Sequence, residues 1–111
     1  MSELYLAPEH FAIVRDNVHR LVPECEVWAF GLRVSGQVKP YSNLDLVILG
    51  DEPLPLAVRV ELNEAFCESD LPHRVDIVEW ARASPEFRER IQHCHVVVQP
   101  ACLSTGRSRP N

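Results

Sequence analysis

The chain has 111 residues, enough for one compact domain and far below the roughly 250 at which a single core divides. Hydrophobic residues make up 46% and charged residues 24%, and no apolar run approaches the roughly 20 residues of a membrane-spanning helix. The formal net charge is −5 with Lys39 the single lysine, which argues against direct nucleic-acid binding, because neutralising phosphates needs clustered Lys and Arg.

The opening Met1-Ser2-Glu3-Leu4-Tyr5 carries an acid where a secretory leader would carry Lys or Arg, so a soluble cytoplasmic protein with no membrane contact is expected. Cys25, Cys67, Cys94 and Cys102 form no C-x-x-C pair and read as reduced thiols. The acidic balance leaves room for a protein partner with a basic face.

From Pro8 to Val22 the apolar residues Phe11, Val14, Val18, Leu21 and Val22 recur at spacings of three and four, which predicts an amphipathic helix stopped near Pro23. Val27 to Phe30 is a short apolar run that suits a buried strand entering a tight turn at Gly31. The segment 43–49 alternates, with Leu44, Leu46 and Ile48 on one face and Asn43, Asp45 and Val47 on the other, and reads as a second strand, antiparallel to the first if residues 33–42 form a loop.

After Gly50 and Pro53, helical spacing returns through Val58, Leu62, Ala65 and Phe66 and ends at Ser69-Asp70. Residues 74–80 are β-branched and apolar with acids inserted, a third strand on which Asp76, Val78 and Trp80 share a face and Glu79 points to the other, as a solvated acid. Ser84-Pro85-Glu86 is a helix start with Ser at the N-cap and Pro at the first position, and that helix should end near Cys94. Residues 95–99 fit either the end of that helix or a short strand. Residues 100–111 are rich in Ser, Gly, Arg and Pro and should form a flexible tail after a domain spanning 1–99. Phe11, Phe66 and Phe87 fit core positions, whereas His10, His19 and His73 read as surface residues. His93, Cys94 and His95 are consecutive and cannot all face one ion.

The chemistry gathers between Gly31 and Asp76. Gly31-Leu32 is followed by ten residues and then Asn43-Leu44-Asp45. Residues 43 and 45 project from one strand face about 7 Å apart, and Asp76 lies on a later strand of the same sheet. Such a set can converge on a Mg²⁺ ion, which takes hard oxygen ligands and keeps substrate phosphate in its shell. Gly31 would let the backbone approach a triphosphate. Arg33 and Lys39 sit in the loop over this supposed phosphate site.

Residues 28–36 and 39–48, with the Val75-Asp76-Ile77-Val78 strand and the Ser84-Pro85-Glu86-Phe87-Arg88 start, resemble the minimal nucleotidyltransferase (MNT) domains of the DNA polymerase beta superfamily over about residues 8 to 99. Their signature is Gly-Ser, ten residues, Asp-x-Asp. The resemblance implies an α/β fold, a small mixed sheet with helices packed mainly on one side. It also implies ATP as substrate, Mg²⁺ on Asn43, Asp45 and Asp76 as metal and catalytic residues, and a nucleotide held near Gly31, Leu32, Arg33 and Lys39.

Two positions depart from the signature: Leu32 replaces the Ser that would donate to a phosphate oxygen, and Asn43 replaces the first metal Asp. Loss of one carboxylate removes a unit charge from the metal site, so weak or absent Mg²⁺ binding and weakened AMP transfer are expected. In this family such domains often act as the antitoxin beside a helical HEPN ribonuclease, some by AMPylation of a toxin tyrosine, which implies a HEPN-type partner in a hetero-oligomer. Two alternatives remain: a working Mg²⁺-dependent transferase passing AMP from ATP to a protein hydroxyl, and an accessory domain that binds a nucleotide or subunit.

Overall fold

A computed structural model describes residues 4–36 and 42–101. In chain order its elements are α1 (Pro8–Leu21), β1 (Val27–Phe30), the single helical turn α2 (Leu32–Ser35), β2 (Leu44–Ile48), α3 (Leu56–Cys67), β3 (Val75–Glu79), a 3₁₀ turn (Trp80–Arg82), α4 (Pro85–His93) and β4 (His95–Gln99). The four strands form one sheet in the order β3-β2-β1-β4. β1 runs antiparallel to both β2 and β4. β2 and β3 are parallel, as they must be when a helix carries the chain back to the starting edge.

The predicted fold class therefore holds, with a mixed sheet whose helices lie mainly on one side. Strand alternation sorts the residues between two faces. Val27, Ala29, Leu44, Leu46 and Ile48 face α1 and α3 and close a core with Val14, Val18, Leu62 and Phe66. The opposite face carries Trp28, Phe30, Val47 and Val78, and there α4 lays Ile91 and Phe87. The Ser84 hydroxyl accepts the Phe87 backbone N–H at 3.1 Å, so the start of α4 is capped as the sequence suggested.

Residues 95–99 are a strand. Periodicity could not distinguish this from a helix end, and pairing with β1 decides it, since Val96 and Val98 then reach the main core. Gln99 Nε2 donates to the Val22 and Cys25 carbonyls at 2.8 and 2.7 Å, tying this edge to the end of α1. The expected loop at 33–42 begins as α2, and β1 and β2 pair antiparallel as foreseen.

Three other expectations need correction. Glu79 does project away from Asp76, but that face lies under α3, and the residue is 4% exposed instead of solvated. Its Oε1 accepts the Leu54 backbone N–H at 2.6 Å, and its Oε2 pairs with Arg59 and Arg82. A buried carboxylate persists when it is paired and hydrogen-bonded in this way. His73 is half-buried and only in part a surface residue: both ring nitrogens are buried with no hydrogen bond of normal geometry, and His10 meets its ring edge-on. Burial, then the charges of Arg33 and His10, hold its imidazole below the ordinary value. Trp80 leaves the strand to open the 3₁₀ turn, although its ring still packs edge-on against Trp28. Residues 102–111, with Cys102, lie outside the described residues. Cys25 and Cys67 are free thiols, and burial with Glu24 alongside pushes the Cys25 thiol up. Among the described residues no helix is long and apolar enough to cross a membrane.

Candidate functional site

Sheet register builds the site. Phe30 on β1 pairs with Asp45 on β2, and Asp45 with Asp76 on β3, so one row crosses three strands and puts both acids on the α4 side. Gly31 follows Phe30 with φ +84° and ψ −153°, a region open essentially to glycine. A Cβ there would overlap Asp45 Oδ2 and lie 3.2 Å from its Cγ. Glycine is thus required twice, by the backbone turn and by the carboxylate pressed against it.

Asn43, just before β2, donates its Nδ2–H to Asp76 Oδ2 at 3.0 Å. Arg74 Nε forms an ion pair with Asp76 Oδ1 at 3.1 Å. Three of the predicted site residues, Asn43, Asp45 and Asp76, are therefore brought together. Burial, and secondarily the Asp76 charge, pushes the Asp45 carboxyl up to about 6, because removing water and adding a like charge both disfavour the ionised form.

Both acids line a cavity of about 620 Å³ together with the apolar Phe30, Val78, Phe87 and Ile91 and with Gly31, Arg90 and Cys94. Apolar walls with a few convergent polar groups are the usual makeup of a small-molecule site. Phe87 meets Phe30 edge-on at 5.6 Å, so it serves the cavity as well as the core.

Arg33 does not reach over this cleft. It is 8% exposed, and its guanidinium donates to the Ser42 and Tyr5 carbonyls, both at 3.0 Å. The single turn α2 carries residue 33 toward the N-terminal segment, where Tyr5 N–H also bonds the Arg33 carbonyl at 2.7 Å. Lys39 lies outside the described residues, and of Leu32 only the backbone, at the start of α2, is described.

The donor set does not fit the divalent metal implied by the resemblance. Mg²⁺ needs free, hard oxygen ligands. Here Asn43 turns a donor toward Asp76, Arg74 takes the other oxygen, and among the described residues no three His, Cys, Asp or Glu side chains gather as a metal site. The amide orientation follows from chemistry, since the reverse would press two acceptors together.

Comparison with known proteins places the fold. Residues 12–98 match the nucleotidyltransferase domain family. The chain belongs to that family. It is 50% identical over 98 residues, 88% of this chain and 86% of the relative, to a Haemophilus influenzae protein described as the probable protein adenylyltransferase MntA. Among solved structures, a toxin-antitoxin with AMP-PNP superposes with a TM-score of 0.69 at 19% identity, covering 85% of this chain and 76% of that one. A tri-AMPylated Shewanella oneidensis HEPN toxin in complex with its MNT antitoxin gives 0.62 at 19% identity, covering 84% and 71%. Identities this low speak to the fold.

Arg74 and Arg90 escaped the sequence reading. Arg74 precedes Asp76 by two, so alternation alone puts them on one face. Arg90 lies three residues after Phe87 and just before Ile91, within the cavity-facing stripe of α4. Both signals were present in the spacing, but without a cavity to face they were indistinguishable from solvated surface charge.

Proposed function

We propose that this chain is the antitoxin of an MNT and HEPN pair, binding and neutralising a HEPN-type ribonuclease in a cytoplasmic hetero-oligomer, with AMP transfer from ATP weakened or lost. The similarity to MntA over 88% of the chain supports the pairing. The observation that carries the loss of transfer is the Asn43 amide donating to Asp76, where the family signature places a metal-binding carboxylate. Holding a partner requires complementary surfaces and not a metal, and the net charge of −5 suits a partner with a basic face.

The test is to ask whether a short all-helical protein is encoded beside this chain and to co-express the two. The neighbour should be toxic alone and relieved by the wild-type chain, with no AMP label appearing on it. A non-toxic neighbour, or toxicity that this chain does not relieve, overturns the antitoxin reading. Robust labelling of the neighbour with AMP overturns the loss of transfer and favours the working transferase.

The retained cavity supports a second reading, an accessory domain that binds nucleotide without turning it over. Calorimetry with ATP at millimolar concentration separates the two: heat without transfer supports this reading, and no heat leaves partner binding alone.

A further inference from the structure

Asp76 is satisfied from within the chain. Its Oδ2 accepts the Asn43 amide at 3.0 Å and its Oδ1 forms an ion pair with Arg74 Nε at 3.1 Å, so each oxygen of the carboxylate already has a partner from within the chain. A carboxylate at position 43 would offer only acceptors, repel Asp76 across the same gap and require a cation between them. An amide instead supplies the missing donor. The Asp-to-Asn difference from the family signature therefore reverses the polarity of this contact and does more than remove one ligand.

Arg74 completes the reversal. Its guanidinium reaches Asp76 from the same face of the same strand end. The side chains of Arg74 and Asp76 are 78% and 37% exposed, so either bond alone is weak against water. An incoming divalent ion, however, must displace both donors and also tolerate the adjacent guanidinium.

We propose that Asn43 and Arg74 jointly replace a divalent cation at Asp76, so that this carboxylate is neutralised by the chain itself and refractory to metal. The proposal rests on the reading of this cleft as a nucleotidyltransferase centre by descent, and it extends that reading from a missing ligand to a built-in counter-ion.

The probe is Mn²⁺ alone, titrated into the full chain and followed by the decline of the free-ion electron paramagnetic resonance signal. Wild type should leave the signal unchanged at millimolar protein. Asn43→Asp should bind, and Asn43→Asp with Arg74→Ala should bind roughly ten- to a hundredfold more tightly than Asn43→Asp alone. Adding Asp76→Asn to that pair should abolish the gain. Thermal unfolding of each variant shows that it is folded, and Arg74 is exposed enough for its removal to be tolerated.

Wild-type binding as tight as that of the double variant overturns the proposal, and so does an Arg74→Ala change with no effect in the Asn43→Asp background. The readout is independent of the partner. Failed relief of toxicity with this Mn²⁺ order intact sinks the antitoxin reading alone, and intact relief with the order absent sinks this proposal alone.

Discussion

The two faces of the sheet are built to different standards. Against α1 and α3, Val14, Val18, Val27, Ala29, Leu44, Leu46 and Leu62 are fully buried, and Glu79, the one buried acid among the described residues, is held by a backbone N–H and two arginines. Against α4, Val47 and Ile91 are enclosed, but Trp28, Val78 and Phe87 are only partly covered, and Asp45 and Asp76 border a cavity. The first face is dense, as protein interiors are. The second tolerates space and an ill-solvated carboxylate, which is the usual mark of a surface kept for binding.

The contrast can be broken in order of size. Leu46→Ala should cost about 2–5 kcal/mol in chemical denaturation, and Val78→Ala on the cavity side less than half as much; equal losses would mean that the two faces are equivalent. Glu79→Gln should cost about 2–4 kcal/mol by the same measurement, because it unpairs Arg59 and weakens the bond to Leu54. A loss near zero would show that the buried carboxylate is not a strut of the first face.

Gly31→Ala should cost about 1–3 kcal/mol from its backbone region plus the overlap with Asp45. Adding Asp45→Ala should recover the overlap part and leave the backbone part. Strictly additive losses in this double-mutant cycle would show that Gly31 and Asp45 do not press on one another.

Asp45→Asn is the smallest effect and carries a pH signature. The folded carboxyl titrates at about 6, above its ordinary 3.8, so between those values the folded chain holds a proton that the unfolded chain has lost. Ionised Asp45 therefore lowers stability above about pH 6, and the penalty fades as pH falls toward about 4. The variant should raise Tm near neutrality and leave it unchanged near pH 4. A gain of the same size at both pH values would place its origin elsewhere.

Much of this molecule was legible before folding. The spacing of apolar residues marked α1 and α3, the Ser84-Pro85 start marked α4, and the run from Gly31 to Asp45 marked the cleft. Local periodicity and turn chemistry act within a few residues, so they can be read without knowing any partner. Glu79, Arg33 and His73 were misjudged for the complementary reason. Their surroundings come from Leu54 and Arg59, from Tyr5, and from His10, segments distant in the chain, and alternation says which face a residue takes but not what covers that face.

The same division applies to function. Residue order alone established the Gly31-to-Asp45 spacing, the absence of a hydroxyl at Leu32 and the amide at position 43, because these are identities and intervals along one chain. Only tertiary structure could decide what the amide does. The parallel pairing of β2 and β3 sets Asp76 beside Asp45 and leaves Asn43 and Arg74 on either side of its carboxylate. Charge compensation depends on atoms within hydrogen-bond reach across strands that are some thirty residues apart in the chain.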